Sequence, residues 1–275
     1  MALPVALKAF AGEIDAVLDG LIDSAYGRES RLFEAMRYAV LLGGKRLRPF
    51  LVVASADMFM VSRDCSLRVG AAVEMVHAYS LVHDDLPCMD NDDFRRGKLA
   101  THKKFDEATA VLAGDTLLTK AFEIIGAHET HKLAEVRSDL VQALALAAGG
   151  HGMTGGQMFD LEAEGHPLEM PEITRLQAMK TGALLAFCCE AGAILGRASR
   201  LHRAALHCYA HDLGLAFQIT DDLLDVEGDA ATVGKKVGKD AAAGKATFVS
   251  ILGIERARQQ AEIMANHAIA HLEDF

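Results

Sequence analysis

The stretch Phe217-Gln218-Ile219-Thr220-Asp221-Asp222-Leu223-Leu224-Asp225 decides how this chain folds. Gln218, Asp221, Asp222 and Asp225 follow i, i+3, i+4, i+7 spacing, which puts all four on one face of a helix. Phe217, Ile219, Leu223 and Leu224 flank them and supply the packed part. Alone, such a stripe also fits a solvated helix face. The same periodicity runs outward in both directions. Over residues 5–22, Leu7, Phe10, Ile14, Val17, Leu18 and Leu21 recur at steps of three and four, the pattern of an amphipathic helix. Similar patterns cover 30–41, 49–60, 66–84, 107–126, 132–149, 172–196, 200–226 and 247–272. No strand-like alternation is persuasive, so the expected fold is all-α, one helical domain over residues 1–275.

Composition agrees. About half of the 275 residues are apolar, with five prolines and no tryptophan, and alanine and leucine are abundant, which favours helix. The breaks fall at Leu42-Gly43-Gly44, at Pro87 through Phe105, at Glu164-Gly165-His166-Pro167 and from Gly228 to Gly244, all marked by Gly or Pro. In Gly149-Gly150-His151-Gly152-Met153-Thr154-Gly155-Gly156 each glycine costs about 1 kcal/mol relative to alanine if helical, which points to close backbone packing.

A second acidic cluster, Asp84-Asp85-Leu86-Pro87-Cys88-Met89-Asp90, ends another apolar stretch. Pro87 cannot sit inside a helix, so Asp84 and Asp85 close one and Asp90 returns from a loop. Alone, this also fits a helix-terminating acidic loop. Two carboxylates about 4 Å apart repel by roughly 4 kcal/mol at an effective dielectric near 20. Cations remove that cost, and Mg²⁺ binds through one or two carboxylates plus substrate phosphates. Together the two clusters point to a metal-bridged diphosphate.

The net charge is −10. Eight acids lie in or beside the clusters; setting them aside leaves 30 acids against 28 bases, so the acidity belongs to the site. Non-specific nucleic-acid binding is not expected of so acidic a chain. Basic residues follow both clusters. Lys45, Arg46 and Arg48 follow a glycine turn, Arg95 and Arg96 follow the first cluster, Lys180-Thr181-Gly182 interrupts an apolar region, and Lys235, Lys236, Lys239 and Lys245 follow the second cluster. Arginine grips phosphate oxygens bidentately and lysine supplies a point charge. Lys236, Lys239 and Arg46 best fit ordinary surface residues. Lys45, Arg48, His77 and Arg96 form a candidate metal-free anion site. His77, two helical turns before Asp84, equally fits a structural histidine.

Five scattered cysteines without CxxC or zinc spacing fit a reducing cytosol, hence a cytoplasmic location. The opening residues lack a basic start and a long apolar run, so no signal peptide is expected. The run from Ala183 to Leu195 is interrupted by Glu190 and reads as a buried helix, not a membrane span.

At these residues the chain strongly resembles the trans-isoprenyl diphosphate synthases, most nearly the bacterial farnesyl type. The matching stretches are Gly43 to Pro49, His77 to Pro87, Met89 to Gly97, Gly155-Gly156-Gln157, Lys180-Thr181-Gly182, Phe217 to Asp225 and Gly244-Lys245-Ala246-Thr247, in the family's order. The resemblance implies a helical bundle around a deep central cavity, an isoprenoid synthase fold, usually a homodimer. It implies that Asp84, Asp85 and Asp90 bind Mg²⁺ from one wall and Asp221, Asp222 and Asp225 from the other, with about three ions per site. It also implies that Arg95, Lys180, Thr181, Gln218, Lys235 and Lys245 hold an allylic diphosphate, and that Lys45, Arg48, His77 and Arg96 hold isopentenyl diphosphate. Asp84, Asp85, Arg95, Lys180, Asp221 and Lys235 are the expected catalytic set.

The implied reaction is a 1′-4 head-to-tail condensation through an allylic cation. The growing tail must run down the helix carrying Asp84. Tyr79 lies roughly 7.5 Å along the axis from Asp84 at 1.5 Å per residue, where an aromatic can floor the cavity, with Ser80 beside it. Tyr79 also fits an ordinary core aromatic. The resemblance, with Pro87-Cys88 in the first motif, points to a fifteen-carbon product; geranyl or geranylgeranyl diphosphate are the alternatives. A terpene cyclase needs no isopentenyl site, and a silent partner subunit is expected to lose one aspartate cluster, so both fit less well. Relatives usually continue past the position of Phe275 with another helix and a basic tail, and often carry proline where this chain has Val249.

Overall fold

The computed structural model describes residues 3–24, 26–163, 165–166, 168–227, 247–273 and 275. Lys235, Lys236, Lys239, Lys245 and the break from Gly228 to Gly244 lie outside the described residues. The chain packs as two compact units, Met1–Val141 and Gln142–Phe275.

The first unit contains α1 (Leu3–Leu21), α2 (Ser30–Val40), α3 (Leu47–Asp57), α4 (Arg63–Asp84), the short pair β1 (Phe94–Arg95) and β2 (Lys98–Leu99), α5 (Thr101–Lys104) and α6 (Glu107–Gly126). The stripe read on α1 is the buried one: Phe10, Ile14 and Leu18 are its core residues. Helix α4 has apolar or small residues nearly all round, as a helix enclosed by others must. It packs against α1, α2, α3 and α6. Gly70 lets α3 approach it, since a Cβ there would lie 3.1 Å from Pro49 Cβ. The helix ends at Asp84, where Pro87 demands an end.

The expectation of no strands needs one correction. Phe94 pairs with Leu99 and Arg95 with Lys98 in an antiparallel two-stranded ladder. Arg96 (φ 53°) and Gly97 (φ 75°) form its two-residue turn, both left-handed as a type I′ turn requires. Four residues are too few to show alternation in sequence. Arg46 needs a second correction. It is not a surface residue but 3% exposed, ion-paired to Glu74 (2.6 Å) and Asp15 (2.7 Å), and it donates to the Val40 carbonyl. A buried guanidinium needs such partners.

Helix α7 (Ala134–Ala148) carries the chain into the second unit. There follow α8 (Met153–Glu162), α9 (Met170–Gln177), a π-helical turn (Ala178–Gly182), α10 (Ala183–Leu195), α11 (Arg200–Glu227), α12 (Phe248–Leu252) and α13 (Ile254–Ala270). The helix read over 172–196 therefore contains an irregular turn at Lys180. The one read over 247–272 is divided at Gly253, whose φ of 77° ends α12. Helix α11 packs against α10 and α13. Beneath its acidic face, Ile219 and Leu223 join Ile173, Phe248, Val249 and Ala257 in one apolar cluster. Residues Met170–Leu195 are long and apolar enough to cross a membrane by length and composition, but much of the stretch is buried inside the protein. Glu190 within it is ion-paired to Arg203 (3.2 Å).

Candidate active site

In the first unit the acidic cluster is built by the end of α4. Beyond Asp84 the chain doubles back: the Met89 and Asn91 N–H groups donate to the Leu86 carbonyl, and the Asp90 N–H donates to the Asp84 carbonyl at 2.8 Å. Asn91 takes a positive φ of 50° to permit this. Asp90, exposed, is thus returned to the helix end that carries Asp84 and Asp85. Asp85 is 2% exposed, and the guanidinium of Arg95, presented by β1, grips it in a two-nitrogen fork. Burial pushes the Asp85 carboxyl above its ordinary range, against the opposing pull of Arg95.

Beside this lies a concentration of positive charge. Arg48 sits in the first turn of α3, with His77 Nε2 3.5 Å from its Nη1. The Arg96 guanidinium lies over Gly44, where a Cβ would come within 2.5 Å of it. Gly44 has a φ of 127°, a conformation that favours glycine. Burial, and then the charges of Arg48, Arg96, Arg46 and Arg95, hold the His77 imidazole well below its usual range. The ring is therefore neutral at pH 7. Arg48 Nε is buried with no hydrogen-bond partner among the described residues. A buried donor of this kind is normally met by a partner, either ordered water or a bound anion. Lys45 is exposed beside them. Tyr79 meets His83 edge-on at 5.7 Å, and Ser80 Oγ donates to the His77 carbonyl.

In the second unit Gln218, Asp221, Asp222 and Asp225 lie on α11 as their spacing requires. Asp222 is 4% exposed: Gln218 Nε2 donates to its Oδ1 (3.2 Å) and the Phe248 N–H to its Oδ2 (2.9 Å). That carboxylate fastens the start of α12 to α11. Asp221 is exposed and Asp225 half-buried. Lys180 and Thr181 sit in the π turn, an irregularity often found at functional sites. Gly182 packs against α11 at Gly214, where an added Cβ would meet Gly182 Cα at 3.6 Å. Helix α8 comes closer to the π turn: a Cβ at Gly156 would lie 2.3 Å from the Lys180 N. This is the backbone contact the glycine-rich stretch pointed to. Lys180 Nζ donates to Asp160 Oδ2 at 2.6 Å. Sequence reading missed Asp160; its one signal is its place one turn after Gly156.

Among the described residues no three His, Cys, Asp or Glu side chains converge as a ready metal cluster. The donors nevertheless suit Mg²⁺. They are all hard carboxylate oxygens, and this ion takes one or two of them and completes its shell with phosphate and water.

The polyprenyl synthetase family model matches residues 29–274. The chain belongs to the polyprenyl synthetase family. It is 44% identical to the farnesyl diphosphate synthase of Escherichia coli K12 over 277 aligned positions, covering 100% of this chain and 93% of that one. With the farnesyl diphosphate synthase of Bacillus subtilis strain 168 the identity is 46%, over 86% of this chain and 80% of the relative. A ligand-free crystal structure of an FPP/GFPP synthase from Zymomonas mobilis superposes with a TM-score of 0.90 at 51% identity, covering 99% and 93% of the two chains. A polyprenyl synthetase fold over nearly the whole chain follows.

Proposed function

We propose that this chain is a prenyltransferase that joins isopentenyl diphosphate to dimethylallyl and then geranyl diphosphate, giving farnesyl diphosphate. The observation that carries this is the 44% identity along its whole length to a farnesyl diphosphate synthase. Residues 1–275 act as one polyprenyl synthase domain in this reading.

Asp84, Asp85, Asp90, Asp221, Asp222 and Asp225 would hold Mg²⁺. When bound, the metal supplies Lewis-acid neutralisation of the departing diphosphate. The chain's own cations share that task. Arg95, steadied by Asp85, and Lys180 in the π turn offer N–H groups to the diphosphate oxygens as negative charge develops there. Thr181 and Gln218, with Lys235 and Lys245, complete the allylic diphosphate site. Lys45, Arg48, His77 and Arg96 take the isopentenyl diphosphate, whose oxygens would satisfy Arg48 Nε. His77, neutral before the anion arrives, stands beside it as a hydrogen-bonding neighbour. The isopentenyl double bond attacks the allylic cation, and a proton is then lost to the released diphosphate.

The working form proposed is a cytoplasmic homodimer, the five cysteines being free thiols. A longer product is the second reading, because the Zymomonas mobilis neighbour is named for both FPP and GFPP. A terpene cyclase is less supported, since it has no use for the arginines around His77.

The test is direct. The protein is incubated with Mg²⁺, dimethylallyl diphosphate and isopentenyl diphosphate, and the products are separated by chain length. A fifteen-carbon product is expected, and Tyr79→Ala should lengthen it. Turnover of an allylic diphosphate without isopentenyl diphosphate would favour the cyclase instead. Unchanged length in Tyr79→Ala would place the floor of the cavity elsewhere.

A further inference from the structure

Lys180 is held by a residue that neither aspartate cluster supplies. Its Nζ donates to Asp160 Oδ2 at 2.6 Å, and the two side chains are 29% and 15% exposed. Asp160 lies on α8, four residues after Gly156. Gly156 itself rests on the Lys180 backbone, where an added Cβ would come 2.3 Å from the N and 2.6 Å from the Cα. Helix α8 therefore touches the π turn twice, backbone to backbone at Gly156 and carboxylate to ammonium at Asp160. The first contact fixes where the lysine leaves the main chain. The second fixes where its charge ends.

We propose that Asp160 is a positioning residue for Lys180, holding the ammonium at the place where the allylic diphosphate is bound. The proposal rests on the diphosphate-binding reading of Lys180 given above. An ammonium has three N–H donors and no acceptor. One is spent on Asp160, which leaves two for diphosphate oxygens. Lysine is a point charge on a flexible four-carbon stem, so an unrestrained Lys180 would have to be ordered at the moment of binding. Asp160 orders it beforehand. A carboxylate so near an anion site also has an electrostatic cost, because it cancels part of the attraction of the lysine. The two effects have opposite signs, and the tether is the larger in this account.

Binding of inorganic diphosphate in the presence of Mg²⁺, measured by calorimetry on the full chain, separates them without relying on turnover. Asp160→Ala should weaken this binding about tenfold, the scale of one hydrogen bond to a charged group. The same variant should raise KM for geranyl diphosphate by a similar factor. KM for isopentenyl diphosphate should stay within about twofold, since its proposed residues lie on other elements. Asp160→Asn keeps an acceptor and loses the charge, so it should recover most of the loss. With Lys180→Ala already in place, Asp160→Ala should add less than about twofold. Unchanged or tighter diphosphate binding by Asp160→Ala overturns the proposal. So does equal behaviour of the Asn and Ala variants, or additive losses with Lys180→Ala. If Asp160→Ala fails to fold, Asp160→Glu takes its place. It keeps the charge but moves the tether by one methylene, so it should lose affinity, and full affinity overturns the idea. Wild-type protein that neither binds diphosphate nor condenses the two substrates defeats the reading of Lys180 itself, and the role of Asp160 falls with it.

Discussion

Arg46 is a charge taken out of water and compensated by Glu74, itself only 3% exposed. Removing one member of such a pair strands the other. Arg46→Leu should lower the unfolding free energy by about 3–5 kcal/mol in urea titrations, and adding Glu74→Leu should return much of it. A loss below about 1 kcal/mol would mean the pair is solvated. His77 offers a test by pH. Burial, then the surrounding arginines, keep its folded-state pKa low. The unfolded chain protonates near the usual value of about 6.5, while the folded state stays neutral. As pH falls below about 6.5 the unfolded state alone gains the proton, so stability falls with it; above that value there is no penalty. His77→Asn should flatten the stability profile just below about pH 6.5 in chemical denaturation. An unchanged slope would mean the ring titrates normally. Neither property of these residues could be read from sequence. Glu74 stands 28 positions from Arg46, and nothing local distinguishes Arg46 from Lys45 or Arg48.

At the scale of elements, glycine separates two kinds of close approach. A Cβ at Gly156 would strike backbone of the π turn, which cannot move without shifting α8. A Cβ at Gly114 would strike the far end of the His83 ring, which can rotate away. Gly156→Ala should therefore cost about 1–3 kcal/mol and reduce turnover as well. Gly114→Ala should be the milder change in thermal unfolding, with helix propensity in its favour. Equal effects would contradict the packing described. The long helices were legible because their apolar stripes repeat over several turns, as Phe10, Ile14 and Leu18 show on α1. The irregular elements were not. The Phe94–Leu99 hairpin is too short to alternate, and the π turn at Lys180 differs from an α-helix only by one residue in its hydrogen-bond span, which composition does not encode. Gly253 was legible in principle, as a glycine ending a short apolar run, but the stripe continues on both sides of it.

For the whole molecule, the acidic residues were legible in position, but not in the partners they hold. Pro87 placed Asp84 at the end of α4, and i, i+3, i+4, i+7 spacing placed Asp221, Asp222 and Asp225 on one face of α11. It could not show that Asp85 is occupied by Arg95 or that Asp222 fastens α12, because those partners come from separate elements. The central claim is that these two clusters, 137 positions apart from Asp84 to Asp221, act on one diphosphate. A double-mutant cycle tests it. The single-turnover rate of condensation is measured for Asp84→Ala, Asp221→Ala and the pair, with folding checked by circular dichroism. Groups that act as a unit are strongly non-additive. Each single change should cost at least about a thousandfold, and the pair little more than either alone. Losses that multiply, or a variant with near-normal rate, would show that the clusters do not serve one reaction.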